Sequence, residues 1–271
     1  VYDRMKPGIP LSVDTSSHLY KAIFIFDSFT QHGYIPSWCS DWYGGTPFLL
    51  LYPPLSYFLV LLVALAGVGP LLAYKIVGIF FYLLGPVTVY ALARELRFEE
   101  LVAAISAAIF SLTPIVVDDY LFYDRFPNIV ALPLACLFLA SLNKILSGKW
   151  PVRLAVVPIS LLSAVILTHH LSALYIGIIV ILLLIARSIA SRRWLMDAAK
   201  ASGIILASFL VCSFWLVPFM QSFAQLAENP FYNRNIEFPF VRFSYFLLEV
   251  VTYQFGLLHF VLALLAFVFI I

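Results

Sequence analysis

Two short stretches of this chain hold residues that could do chemistry inside an otherwise apolar sequence. Residues 113–133 read TPIVVDDYLFYDRFPNIVALP and carry Asp118, Asp119, Asp124 and Arg125 between two long apolar runs. Residues 13–21 read VDTSSHLYK and carry Asp14, His18 and Lys21. His169 and His170 stand side by side, and Arg234 lies in QLAENPFYNRNIEFP. A carboxylate can take a proton from a hydroxyl or hold a divalent cation. Arginine can fork onto a phosphate, and histidine can meet phosphate oxygens or a metal ion. Two adjacent histidines cannot both point one way on a helix, so one at most acts. Each residue also has an ordinary role. Asp14 suits an N-cap, Asp124–Arg125 a surface pair of little worth, His18 an exposed helix face, and the histidine pair an interfacial turn.

Long apolar elements must position these groups. The chain has 271 residues, 63% hydrophobic and 11% charged, with a mean hydropathy of +1.01. Soluble domains run near about 45–50% apolar and 25% charged. The composition therefore predicts an all-α, polytopic transmembrane helix bundle, since no alternating strand pattern offers a barrel. Net charge is only +2, which argues against a nucleic-acid partner. Cys39, Cys136 and Cys212 are scattered, with neither disulfide-framework nor zinc spacing.

Seven runs approach the ~20 residues needed to cross hydrocarbon. They are Leu71–Ala93, Leu101–Val117, Asn128–Leu146, Leu154–Thr168, Leu171–Ile189, Ala199–Met220 and Phe246–Ile271. Residues 71–271 thus read as the bundle, and residues 1–70 as a loop region with juxtamembrane helices. The chain starts at Val1 and stops inside an apolar run, so a fragment truncated at both ends is expected. Arg94, Arg97, Lys144, Lys149, Arg153, Arg187, Arg192, Arg193 and Lys200 fall in loops separated by pairs of spans. Such loops mark the cytoplasmic side. The aspartates then lie outside the cell membrane, at the water interface. There they avoid the about 2.5–3.5 kcal/mol that a carboxylate costs at the bilayer centre.

Leu19, Ala22, Ile23, Phe26 and Phe29 recur at helical spacing, and Gly33 follows as a stop. An amphipathic surface helix is expected there. The side on which it lies depends on Tyr52–Gly67, a shorter run led by Pro53-Pro54. If that run crosses, Asp14 is cytoplasmic; if it lies along the surface, Asp14 faces out beside Asp124. Composition leaves both open.

The stretch VDTSSHLYKAIFIFDSFTQHGYIPSW resembles the first outer loop of GT-C glycosyltransferases, where an acidic residue precedes a surface helix. WYGGTPFLLLYPPLSYFLVLL resembles the Pro-led juxtamembrane helix that follows, and YDRFPNIVALPL the second outer loop with its further Asp. The resemblance covers about Val13–Leu146 in motif order. The chain is also similar to archaeal and bacterial membrane proteins labelled 6-pyruvoyl-tetrahydropterin synthase-related, although no residue pattern here suits a pterin. Many GT-C relatives have two adjacent acidic residues in the first loop; here Thr15 follows Asp14. The Trp-Trp-Asp-Tyr-Gly motif of oligosaccharyltransferases is absent.

The resemblance implies that residues 1–48 face outward, and that Tyr52–Gly67 lies at the outer surface. It implies transfer of a sugar from a polyprenyl-phosphate-type donor to a hydroxyl on a glycan, lipid or protein acceptor. Asp14 is then the candidate base and Asp124 its catalytic partner. Arg125, His18, His169, His170, Asp119, Lys21 and Arg234 are candidate substrate-binding residues. No cofactor is assigned; aspartates with a histidine could hold Mg²⁺ or Mn²⁺. Two other readings remain: a transporter or flippase of a lipid-linked sugar, and a non-catalytic subunit of glycan assembly. The nearly charge-free span interiors favour interfacial chemistry over a through-path.

Overall fold

A computed structural model describes residues 6–42, 44–50, 52–190 and 193–227. They form an all-α bundle with one short antiparallel strand pair, β1 (Trp38–Cys39) and β2 (Thr46–Pro47). The helices are α1 (Thr15–His32), α2 (Leu55–Val63), α3 (Pro70–Glu95), α4 (Glu100–Leu112) and α5 (Pro114–Asp118). After them come α6 (Phe126–Leu146), α7 (Val156–Ile166), α8 (His170–Ala190), α9 (Trp194–Val211) and α10 (Ser213–Ala227). A π-helical turn extends α2 to Val68, and another, Asp119–Tyr123, follows α5.

Among the described residues, α3, α6, α8 and α9 are long and apolar enough to cross a membrane. The run Leu101–Val117 becomes a pair of helical segments, Glu100–Leu112 and Pro114–Tyr123, bent by 51°. Thr113, before a proline, adopts ψ 125°, as the proline ring requires of its predecessor. The run Leu154–Thr168 is a shorter apolar helix, Val152–Ile166. Ala199–Met220 is not one continuous span: the chain breaks at Cys212 between α9 and α10. Phe246–Ile271 lies outside the described residues.

Contacts sort the loops to two ends. At the basic end, Lys149 pairs with Glu95 at 2.7 Å, Asn143 donates to Glu95 at 3.1 Å, and Arg187 donates to the Leu146 carbonyl at 3.2 Å. At the acidic end, the Leu55 N–H donates to the Leu167 carbonyl at 2.8 Å, and Ser172 donates to Asn128 at 2.9 Å. Here Lys75 Nζ also holds the Lys6 and Gly8 carbonyls at 2.7 and 2.6 Å.

The structure decides the parity of Tyr52–Gly67. The nine residues of α2 and the five of its π turn reach about 21 Å, short of the ~30 Å core. Both ends of the element lie at the acidic end. Gly67 at φ +96° and Gly69 at φ +75° make the reversal into α3, a backbone that side-chain-bearing residues rarely adopt. Residues 6–50 therefore share an end with Asp119 and Asp124.

Helix α6 is the centre of the packing. Its apolar stretch is 61% buried, against 28% for α3 and 17% for α8, which show apolar faces suited to lipid. In one cluster, Phe138, Leu142 and Ile145 of α6 pack with Val165, Val180 and Ile204 of α7–α9. Toward the acidic end, Phe126 and Val130 pack with Leu19, Ile25, Tyr57 and Val77 of α1–α3. Lipid supplies no hydrophobic drive between helices, so close approach and polar contacts must hold them. Gly85 of α3 illustrates this: a Cβ there would meet Phe110 of α4 at 2.8 Å.

Candidate functional site

The site starts from how α1 is attached. The Val13 and Asp14 N–H groups donate to the Phe122 and Tyr123 carbonyls at 3.1 and 2.9 Å, and Ser12 Oγ donates to the Leu121 carbonyl at 3.2 Å. Residues 12–14 are thus laid along the turn that leads to Asp124. Asp14 stands at the N-cap of α1, yet its side chain makes no capping hydrogen bond and is half-buried. Thr15 does the anchoring instead. Its hydroxyl donates to Asp124 Oδ2, which also accepts from the Tyr74 hydroxyl at 2.9 Å. Asp124 is 2% exposed and sits at φ 54°, a left-handed conformation that Asp tolerates better than most residues. Its carboxylate joins α1, α3 and the turn before α6.

About two helical turns along, Lys21 lies half-buried between rings. Its ammonium is 5.0 Å from the Trp42 ring centre and 5.3 Å from that of Tyr52, and it donates to Ser17 Oγ at 2.6 Å. Burial lowers its pKa to about 8, against the raising influence of Asp14. His18 is buried. Its Nδ1 is 2.8 Å from the Tyr57 hydroxyl, and its ring meets Tyr52 edge-on at 5.5 Å. Burial first, then Lys21 and His169, push its pKa down to about 3, so it is neutral at physiological pH. It packs among the rings of Tyr52, Tyr57 and Phe126.

On the other side of the turn, a hydrogen-bond chain crosses from α6 to α8. Arg125 Nη1 donates to Asp119 Oδ1 at 3.1 Å, and Asn128 Nδ2 donates to Asp119 Oδ2 at 2.6 Å. Ser172 Oγ donates to Asn128 Oδ1 at 2.9 Å and lies 2.8 Å from His169 Nδ1. Asp119 is 1% exposed, whereas the Arg125 side chain is 46% exposed and lies over the Tyr123 ring at 4.9 Å. Burial, then His170 and Arg125, lower the His169 pKa to about 4. The two halves share one electrostatic field: Tyr52 feels Asp14 and Arg125, and His18 feels Lys21 and His169. The site combines a carboxylate that makes no capping bond, two cations, two neutral histidines and aromatic rings at one end of the bundle.

Over residues 49–271 the sequence matches the family described as 6-pyruvoyl-tetrahydropterin synthase related domain, membrane protein. The chain belongs to that family. No curated protein and no solved structure matches it. Of the site of this 6-pyruvoyl-tetrahydropterin synthase-related protein, the match takes in Tyr52, Tyr74, the segment from Asp119 to Asn128, His169 and Ser172. Asp14, His18 and Lys21 precede it.

Within this family member the two histidines part company, as their adjacency requires. His169 joins the chain to Asp119. The His170 ring lies 5.5 Å from Phe219 and lines an apolar cavity of about 370 Å³ with Phe138, Ile166 and Leu216, away from the carboxylates. Arg234 lies outside the described residues. Tyr52, Tyr74, Asn128 and Ser172 belong to the site although sequence reasoning did not single them out. Asn128 and Ser172 had one available signal, as polar side chains at the first turns of apolar runs.

Proposed function

We propose that this protein is a membrane glycosyltransferase of GT-C type, working at the extracytoplasmic face on a sugar carried by a polyprenyl-phosphate-type lipid. The observation that carries the reading is Asp14: it stands at a helix N-cap, makes no capping bond, and lies in the field of Lys21. A carboxylate kept out of its usual structural role, beside a cation at the water interface, suits a general base. Asp14 takes the proton of the acceptor hydroxyl as that oxygen attacks the anomeric carbon. The bond from that carbon to the phosphate oxygen breaks, and its electron pair stays on the phosphate. Such a leaving group is already a stable anion, so no general acid is required. Lys21 and the open face of Arg125 neutralise it. Trp42 and Tyr52 flank Lys21, and Asp124, through Thr15, fixes where Asp14 stands. The lipid tail remains in the bilayer.

The test is transfer from radiolabelled polyprenyl-phosphate sugars to a membrane acceptor extract, by wild type and by Asp14→Asn. The expected outcome is transfer by wild type and a loss of about 10²–10⁴-fold in the variant, the range of a positioned base. Transfer by Asp14→Asn at the wild-type rate removes Asp14 from the role. Movement of the lipid across the bilayer without a new glycoside replaces the enzyme with a flippase.

A further inference from the structure

The chain of donors from Asp119 to His169 has a direction, and that direction fixes a tautomer. Asp119, paired with Arg125, is an acceptor at both oxygens. Asn128 must therefore turn its NH₂ to Asp119 at 2.6 Å, which leaves its carbonyl facing Ser172. The single hydroxyl proton of Ser172 goes to that carbonyl at 2.9 Å. Ser172 Oγ can then only accept from His169, 2.8 Å away, so His169 Nδ1 carries the ring proton. One contact favours the opposite tautomer: the Ser172 backbone N–H lies 3.3 Å from Nδ1, and at that length it is the weaker of the two. The remaining nitrogen, Nε2, presents a lone pair.

We propose that His169 Nε2 recognises a hydroxyl of the transferred sugar, an inference that rests on the glycosyltransferase reading above. A lone pair on a neutral ring repels phosphate oxygens and attracts an O–H donor, so the phosphate belongs to Lys21 and Arg125. A metal ion is the other partner such a nitrogen could take. Among the described residues, no group of three His, Cys, Asp or Glu is placed to hold one, and a hydroxyl needs only the lone pair. Ser172, Asn128 and Asp119 are positioning residues: they act by keeping the proton on Nδ1. Arg125 anchors the far end of the chain and keeps its other N–H groups for the donor phosphate.

The experiment uses the full chain in lipid nanodiscs with ¹⁵N-labelled histidine, the His169 signals being assigned by His169→Gln. Wild type is expected as the Nδ1–H tautomer, and Ser172→Ala is expected to shift the ring toward Nε2–H. A wild-type Nε2–H ring, or a tautomer unchanged in Ser172→Ala, overturns the proposal. Undecaprenyl-phosphate-glucose is then compared with undecaprenyl phosphate. The Nε2 signal is expected to move with the glycosylated lipid and to stay with the bare one. Equal movement with both makes His169 a phosphate reader, which overturns this inference and leaves the transferase reading standing. No movement with either overturns hydroxyl recognition. Transfer by wild type and its loss in Asp14→Asn decide the transferase reading separately.

Discussion

Asp124 separates a catalytic carboxylate from a structural one, because two substitutions at this position should part company. Oδ2 accepts from Thr15 and from Tyr74, and the residue is 2% exposed at φ 54°. Asp124→Ala strands two hydroxyls at about 1–3 kcal/mol each. It also places alanine in the left-handed region, at about 1–2 kcal/mol. The sum is about 3–8 kcal/mol, enough to detach the start of α1 from the turn before α6. Asp124→Asn keeps the shape, tolerates the backbone and still offers an oxygen to both donors. It loses only the charge-assisted part, about 1 kcal/mol per bond. The assays are thermal unfolding in detergent, followed by intrinsic fluorescence, and sugar transfer. The alanine variant should unfold early and be inactive. The asparagine variant should melt slightly early and keep transfer within a few-fold of wild type, in contrast to Asp14→Asn. An Asp124→Asn protein that melts like wild type but transfers no sugar refutes this reasoning, and makes Asp124 a participant in the chemistry.

Partial burial lowers the pKa of the Lys21 ammonium to about 8, so it is charged below that value. Donor affinity should therefore weaken as pH rises through about 8, seen as a rising KM for the lipid phosphate. Lys21→Arg should flatten that rise, and Lys21→Met should bind weakly at every pH; a pH-independent wild-type KM refutes the assignment. At the basic end, Arg187 Nε donates to Asp197 Oδ2 at 2.8 Å, and the Asp197 side chain is 2% exposed. Arg187→Met alone leaves that carboxylate buried and unpaired, for a loss of about 3–5 kcal/mol in unfolding measurements. Arg187→Met with Asp197→Leu should recover most of it, and an equal loss in the double variant contradicts a pairing role.

The bundle and the gathering of basic loops at one end were legible because both follow from large, local energies. A charged side chain in lipid is expensive, so hydropathy and Lys/Arg placement reflect it directly. Gly33 stops α1 at φ +75°, as its position after the periodic run implies. The side of α2 was not legible, since its length is ambiguous and the deciding contact joins Leu55 to Leu167, far along the chain. The break at Cys212 was hidden for another reason: neither Gly nor Pro stands at the junction, and Pro218 lies within α10. The site divides along the same line. Charged residues announced themselves against an apolar background, but the groups that set their geometry are neutral and common. Thr15 and Tyr74 meet at a carboxylate 109 and 50 positions from them, and Asn128 reaches Ser172 across 44. Such hydroxyls and amides cost little in an apolar run, so nothing marks them until the helices bring them together. What they decide is which charges stay free. Thr15 rather than Asp14 ties α1 to Asp124, and Asp119 rather than a substrate takes one edge of Arg125. A site of this kind is found by asking which charged residues the neutral ones have left unoccupied, and that subtraction requires the fold.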